Sequence, residues 1–242
     1  MVNKNAQEWL EQNHIRETIK ELYISRKSLE GHLDLSDFVN LEKLYCSENS
    51  LTSLDLSNCS KLKVVNCSSN QLTSLDLGSC SNLTEICCNF NKLTKLILPR
   101  NLTSLKNLEL EGNNFNQNLS FLKGAINLES LTLVSNDFEG SLEYLKEMGK
   151  LWELNINDTH IDSGLEYLPE SVKKFHCLAK KRLKARCQTI FNLFADEQGE
   201  VETRDYGWIK GFPQKLQAYK QKLQEQSQQT TQIRQAELPP KS

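Results

Sequence analysis

Between residues 41 and 98 the chain reads LEKLYCSENSLTSLDLSNCSK, LKVVNCSSNQLTSLDLGSCSN and LTEICCNFNKLTKLIL. Apolar residues return at the first, fourth, sixth and eleventh positions of each copy, and an Asn stands at the ninth. The copies begin at Leu41, Leu62 and Leu83, a constant step of 21 residues. Polar residues fill the second, third, seventh and eighth positions almost without exception. Side chains alternate across a strand, so the fourth and sixth positions share one face of a short extended segment. Three copies in register predict three such strands side by side with one common buried face, and a fixed period of this length outranks any local propensity.

The frame extends in both directions. Upstream, Ile19, Leu22, Ile24 and Leu29 fit one copy, with Lys27 in the Asn position. Downstream come Leu105, Leu108, Leu110, Asn113 and Phe115, then Leu128, Leu131, Leu133, Asn136 and Phe138, then Leu151, Leu154, Ile156, Thr159 and Ile161. A last half-copy starts at Val172 with Phe175 and Cys177. This gives about seven repeats of 21–23 residues over 19–177. Asn49, Asn70, Asn91, Asn113 and Asn136 stand where the chain turns away from the strand. Their amides are expected to form an internal ladder that satisfies backbone groups the turn would otherwise bury unpaired.

The stretches between strands differ along the chain. LTSLDLSNC at 51–59 is too short and too rich in Ser and Thr for a helix, which predicts extended or 3₁₀ backs. From 105 onward, Leu119/Leu122, Leu142/Leu145 and Leu165/Leu168 are spaced three apart, which predicts short helical turns. Residues 1–18 read as a helical cap: a solenoid end exposes its core and needs a cover. Asn5 is the predicted N-cap with Glu8 three residues on, placing Trp9 and Leu10 over the Ile19/Leu22 layer. Residues 178–242 leave the pattern as a helical extension. An amphipathic helix is predicted over 179–195, with Leu183, Cys187, Ile190, Phe191 and Phe194 on one face. A loop over 196–212 follows. Pro213 then opens a second helix over 214–229, and the last dozen residues are expected to be disordered.

Charge divides along the same boundary. The formal net charge is −2, but residues 178–242 hold 12 Lys/Arg against 7 Asp/Glu, and the remainder 17 against 24. The basic residues of the extension are interleaved with Gln and Glu and lack aromatic neighbours, so a solvated helix is expected rather than a nucleic-acid or membrane contact. The N-terminus does not read as a signal peptide, and no apolar run is long enough to span a bilayer. A cytoplasmic, monomeric protein is the resulting expectation. Eight cysteines raise the question of disulfides or zinc. Cys46, Cys67, Cys88 and Cys177 occupy interior sixth positions and Cys59 and Cys80 form a second row on the back, so reduced, buried thiols are expected. Cys87 differs, because the fifth position faces outward. No phosphate-binding, hydrolase, kinase or zinc-protease motif occurs. His176 and Cys177 are strand neighbours pointing to opposite faces. No enzyme activity, cofactor or metal is expected.

The pattern L-x-x-L-x-C-x-x-N-x-L over 19–177 resembles the leucine-rich repeat family. That resemblance implies an α/β solenoid: a horseshoe with a parallel concave sheet, an N-terminal helical cap and C-terminal helices. Cys at the sixth position with a 21-residue step is similar to the cysteine-ladder internalins, which are secreted adhesins; their signal and wall anchor are not found here. NAQEWL, SGLEYLPESV and GFPQKLQAYKQKLQEQ resemble segments of leucine-rich repeat proteins of mycorrhizal fungi, some of which continue into a kinase domain. The implied role is protein interaction or signalling.

In such a fold the outward positions of the concave face are the second, third, fifth, seventh and eighth. The fifth-position column reads Tyr23, Tyr45, Asn66, Cys87, Glu109, Thr132, Asn155 and His176, with Glu48, Val64, Phe90, Trp152 and Asp158 beside it. Exposed Tyr and Trp are enriched at protein interfaces. The expected partner-binding set is Tyr23, Tyr45, Glu48, Val64, Asn66, Cys87, Phe90, Glu109, Trp152 and Asn155, engaging a protein partner. The alternatives are a sensor arm of a signalling protein, or a receptor for a non-protein ligand such as a polysaccharide. Tyr45, Phe90 and Trp152 stand too far apart along the solenoid for one small ligand.

Overall fold

In each copy the third to fifth residues form a three-residue strand whose middle residue is buried. A computed structural model describes residues 3–15, 17–180, 185–196, 198–203 and 208–236. The strands are Glu21–Tyr23, Lys43–Tyr45, Val64–Asn66, Glu85–Cys87, Asn107–Glu109, Ser130–Thr132, Glu153–Asn155 and Lys174–His176. They form one parallel eight-stranded sheet in sequence order. The register never slips: Leu22, Leu44, Val65, Ile86, Leu108, Leu131, Leu154 and Phe175 pair as one row across it. The sixth positions Ile24, Cys46, Cys67, Cys88, Leu110, Leu133, Ile156 and Cys177 make a second buried row. A one-residue slip in any strand would turn both rows to solvent.

The Asn ladder has a shared geometry. Asn70 Nδ2 donates to the carbonyls of Cys67 and Cys46, each at 3.0 Å, and its Oδ1 accepts from Leu51 N at 2.9 Å. Asn91 repeats this on Cys88, Cys67 and Leu72 N, Asn113 on Leu110, Cys88 and Leu93 N, and Asn136 on Leu133, Leu110 and Phe115 N. Asn49 does so on Cys46, Ile24 and Leu29 N. The carbonyls of Cys46, Cys67, Cys88 and Leu110 are therefore each claimed by two consecutive amides. Thr159 closes the row with a single bond from its hydroxyl to the Ile156 carbonyl at 2.7 Å.

The backs change style where the Leu spacing changes. Ser50–Asp55 pairs in parallel with Leu29–Asp34, and Ser74–Asp76 with Lys95–Ile97. Further along, 3₁₀ turns occupy Leu119–Leu122, Leu142–Leu145 and Leu165–Tyr167. A three-residue turn brings side chains three apart onto one side, so both Leu residues of Leu119/Leu122 and of Leu142/Leu145 are buried. Asn118 and Ser141 cap the first two of these turns by accepting from Ser120 N and Glu143 N.

At the start, helix α1 (Ala6–Gln12) lies over the first layer. Asn5 Oδ1 accepts from Glu8 N at 3.0 Å, Ala6 and Leu10 are buried, and Trp9, Ile15 and Ile19 pack against the core they join. At the far end lie α2 (Cys187–Asn192) and α3 (Phe212–Ala236). The Phe212 ring packs on Phe175 at 4.7 Å and Phe194 at 5.6 Å, and Lys220 Nζ donates to the Leu168 carbonyl at 2.6 Å. Both helices differ from expectation. α2 is shorter than 179–195 because the backbone ahead of it is held by the last full repeat: Leu178 N donates to Asn157 Oδ1 and Lys180 N to Asp158 Oδ1, both at 2.6 Å. Leu183, placed on the helix face by sequence, falls in 181–184, outside the described residues. Pro213 stands in the first turn of α3, but the helix runs on through 236 into the stretch expected to be disordered; 237–242 lie outside the described residues.

Candidate interaction surface

The sheet register brings the fifth-position residues into one line across the concave face. Tyr23, Tyr45, Asn66, Cys87, Glu109, Thr132 and Asn155 are successive pairing partners. All are at least partly exposed. Two residues read as part of this surface are not on it. His176 is 5% exposed and Asp158 2% exposed. An antiparallel bridge from Trp208 to His176 covers the end of the line, with Ile209 N donating to the Phe175 carbonyl at 3.0 Å, while Asp158 accepts from Lys180 N.

The N-terminal third of the face is aromatic and charge-balanced. Tyr23 and Tyr45 stack with ring centroids 5.0 Å apart and planes within 5°. Parallel in-register strands hold neighbouring side chains at about 4.8 Å, which sets the stacking distance. Tyr23 donates to Glu21 at 2.5 Å, and Glu21 pairs with Lys43 at 2.8 Å. Glu42 bridges Lys63 at 2.6 Å and Lys20 at 3.1 Å, and these two ammonium groups hold its carboxyl down at about 2. Glu48 pairs with Arg26 at 2.5 Å. Val64 lies between Lys43 and Glu85 in the third-position row.

The middle is different. Cys87 is half-buried, and burial first, then the Glu109 and Glu85 carboxylates, push its thiol up to about 12. Asn89 donates to Glu109 at 2.7 Å and accepts from Glu111 N at 2.8 Å, which fixes the Glu109 carboxylate beside Cys87. Beyond it, Phe90 is 53% exposed. It stands at an eighth position, and every eighth position from Arg26 to Asp158 has left-handed backbone: Arg26, Glu48, Ser69, Phe90, Gly112, Ser135 and Asp158. This conformation costs an L-residue about 1–2 kcal/mol and is rare for a bulky one. Gly112, in the next copy, makes room for the ring: a Cβ there would lie 2.8 Å from Phe90 Cδ1. At the far end Trp152 is 40% exposed with Lys174 Nζ 5.1 Å from its ring centroid, and Asn155 lies inboard.

The ten expected residues thus form a line with two flanks, and not a pocket. The structure adds residues that the column reading missed: Gly112 beneath Phe90, Asn89 beside Glu109, and the Lys20, Lys43 and Lys63 partners of the N-terminal carboxylates. The only advance signal for Gly112 was a glycine at an eighth position. The larger clefts lie on other surfaces, such as one of about 570 Å³ between α3 and Glu170/Lys173. Among the described residues, no group of His, Cys, Asp and Glu has the arrangement of a metal site, and no helix is long and apolar enough to cross a membrane.

Residues 39–79 match the family model for leucine-rich repeats (two copies). Among solved structures, the functional domain of InlJ from Listeria monocytogenes, which includes a cysteine ladder, is 25% identical with a TM-score of 0.59; the match covers 69% of this chain and 37% of that one. The plant peptide hormone receptor RGFR1 in complex with RGF2 is 21% identical over 60% of this chain and 28% of the receptor, with a TM-score of 0.48. The leucine-rich repeat ectodomain of the receptor kinase SOBIR1 from Arabidopsis thaliana is 25% identical over 59% of this chain and 70% of that one, with a TM-score of 0.39. The chain thus spans well under half the length of the first two. No curated protein matches the sequence. The match over 39–79, the in-register sheet and the buried Cys and Asn rows together give the chain the leucine-rich repeat fold, an α/β horseshoe with a row of buried cysteines in its core.

Proposed function

We propose that this chain is a non-catalytic interaction module that takes an extended segment of a protein partner on its concave face. The observation that carries the reading is the line of outward side chains from Tyr23 to Asn155, held in strict register by two fully buried rows beneath it. Side chains fixed this way lose little entropy on contact, and the stacked tyrosines and Phe90 are the residue types that anchor interfaces. The line crosses seven strands, a span suited to a polypeptide rather than a small ligand. The buried, unpaired thiols fit a reducing compartment, so the same reading places a monomer in the cytoplasm, without nucleic acid, membrane or cofactor as partner.

The test is affinity capture of the partner by the intact chain. Tyr45→Ala with Phe90→Ala alters no core position, so melting is expected to stay unchanged while binding weakens by about 1–4 kcal/mol. A partner retained by that double variant, but lost when Lys215 and Lys222 on α3 are reversed to Glu, overturns the concave-face reading.

A further inference from the structure

Carboxylates on the concave face fall into two kinds. In the first two repeats each is neutralised: Glu21 by Lys43, Glu42 by Lys20 and Lys63, Glu48 by Arg26. Further along, Lys106 is taken by Glu129 and Lys174 by Glu153. Between them stand Glu85 and Glu109, for which no cation among the described residues lies within ion-pair distance. They flank Cys87, Glu85 on the same strand and Glu109 directly opposite in register. Burial first, and then these two carboxylates, hold the Cys87 thiol high.

Three residues on from Cys87 in the same copy stands the Phe90 ring, more than half exposed, in a left-handed conformation that bulky residues avoid, with a glycine in the next copy clearing its edge. The other eighth positions carry Arg26, Glu48, Ser69, Gly112, Ser135 and Asp158, none of them apolar and bulky. Resting on the proposed concave-face reading, we propose that Phe90, Glu85 and Glu109 form its recognition centre, and that the partner segment there carries an Arg or Lys beside an aromatic or branched apolar residue. Charge complementarity supplies the cation: two carboxylates with no cation of their own among the described residues, one of them held in place by Asn89. The ring supplies the apolar contact and can also face a guanidinium. From the fifth to the eighth position is three residues, at most roughly 10 Å because the chain turns at Phe90, so the two partner side chains stand no more than about three residues apart in an extended segment.

The test pans the intact chain against a phage library of random decapeptides, then measures the best peptide by fluorescence polarisation. Enriched peptides are expected to pair a basic with an aromatic or branched apolar residue. The best peptide is expected to bind about tenfold more weakly to Phe90→Ala, and again to Glu85→Gln/Glu109→Gln, with added salt weakening it further. Glutamine keeps the shape and the Asn89 contact, so unchanged melting shows that charge alone was removed. Enrichment of acidic or uncharged peptides, no enrichment, or affinity that survives both variants overturns the proposal. If the best peptide is lost in Tyr23→Ala/Tyr45→Ala but indifferent to Phe90, Glu85 and Glu109, this centre is wrong and the concave face stands; indifference to all five positions defeats both.

Discussion

Asn70 and Asn136 occupy equivalent rungs of the ladder, yet truncating them is expected to have unequal cost. Asn70→Ala removes donors from the Cys46 and Cys67 carbonyls, but Cys46 keeps Asn49 at 3.0 Å and Cys67 keeps Asn91 at 3.0 Å. The one group orphaned is Leu51 N, which sits on a fully buried residue. A single buried unsatisfied group costs about 1–3 kcal/mol. Asn136→Ala orphans Phe115 N and also the Leu133 carbonyl, because the next rung is Thr159, whose short side chain reaches only Ile156. Two orphans at a site with no solvent access cost about twice as much, roughly 2–6 kcal/mol. Equilibrium urea unfolding followed by far-ultraviolet circular dichroism, with slopes compared to check that the denatured states are alike, measures the difference. Asn136→Ala no worse than Asn70→Ala would show that the carbonyls are not shared as described.

Other outcomes follow from the same contacts. Gly112→Ala adds left-handed strain and a clash with Phe90, so it is expected to destabilise by about 1–3 kcal/mol, and Phe90→Ala in the same chain to recover only the clash; additive effects in a double-mutant cycle defeat the steric account. All eight thiols are expected to react with a disulfide reagent in denaturant, whereas in the native protein Cys87, the one that is not fully buried, is expected to label far more slowly than a free cysteine near neutral pH and faster after Glu109→Gln; labelling at the free-cysteine rate contradicts the pushed-up thiol. Glu42 has a depressed carboxyl, so its contribution is present above the ordinary carboxylate range and is lost as pH falls toward about 2; Glu42→Gln should flatten that part of the acid-unfolding curve, and an NMR titration placing Glu42 near 4.5 refutes the bridge.

The repeat was legible because its information is local and periodic. Leu41, Leu62 and Leu83 announce the step, and Asn49, Asn70 and Asn91 announce the turn, so the sheet and the ladder stand where the pattern puts them. What escaped was set by neighbours distant in sequence. His176 reads as exposed because the segment that covers it, at Trp208 and Ile209, lies some thirty residues on. The 179–195 stretch has a helical apolar spacing, but the amides at its start are claimed from elsewhere: Leu178 N by Asn157 and Lys180 N by Asp158 of the preceding repeat. The left-handed column was hidden because only Gly112 among its members advertises that conformation. Arg26, Glu48 and Phe90 accept it because the repeat imposes it. Of the surface residues, the column placement was readable; which carboxylates are neutralised was not, since it depends on how long side chains reach across strands.

Sharing carbonyls between neighbouring rungs also bears on how such a chain changes length. If residues 62–82 were excised, Leu83 would follow Lys61 and Asn91 would meet the Cys46 carbonyl and Leu51 N in place of the Cys67 carbonyl and Leu72 N. The donors, the acceptors and even the residue types are the same. A whole copy can therefore be lost or duplicated without orphaning a single ladder group, while removing part of one breaks the count. Among Cys46, Cys67 and Cys88 the chain is chemically interchangeable with itself, so unequal recombination in this stretch leaves foldable products. Beyond Asn113 Cys gives way to Leu at the sixth position and Thr159 ends the row, so the copies there are no longer identical in residue type.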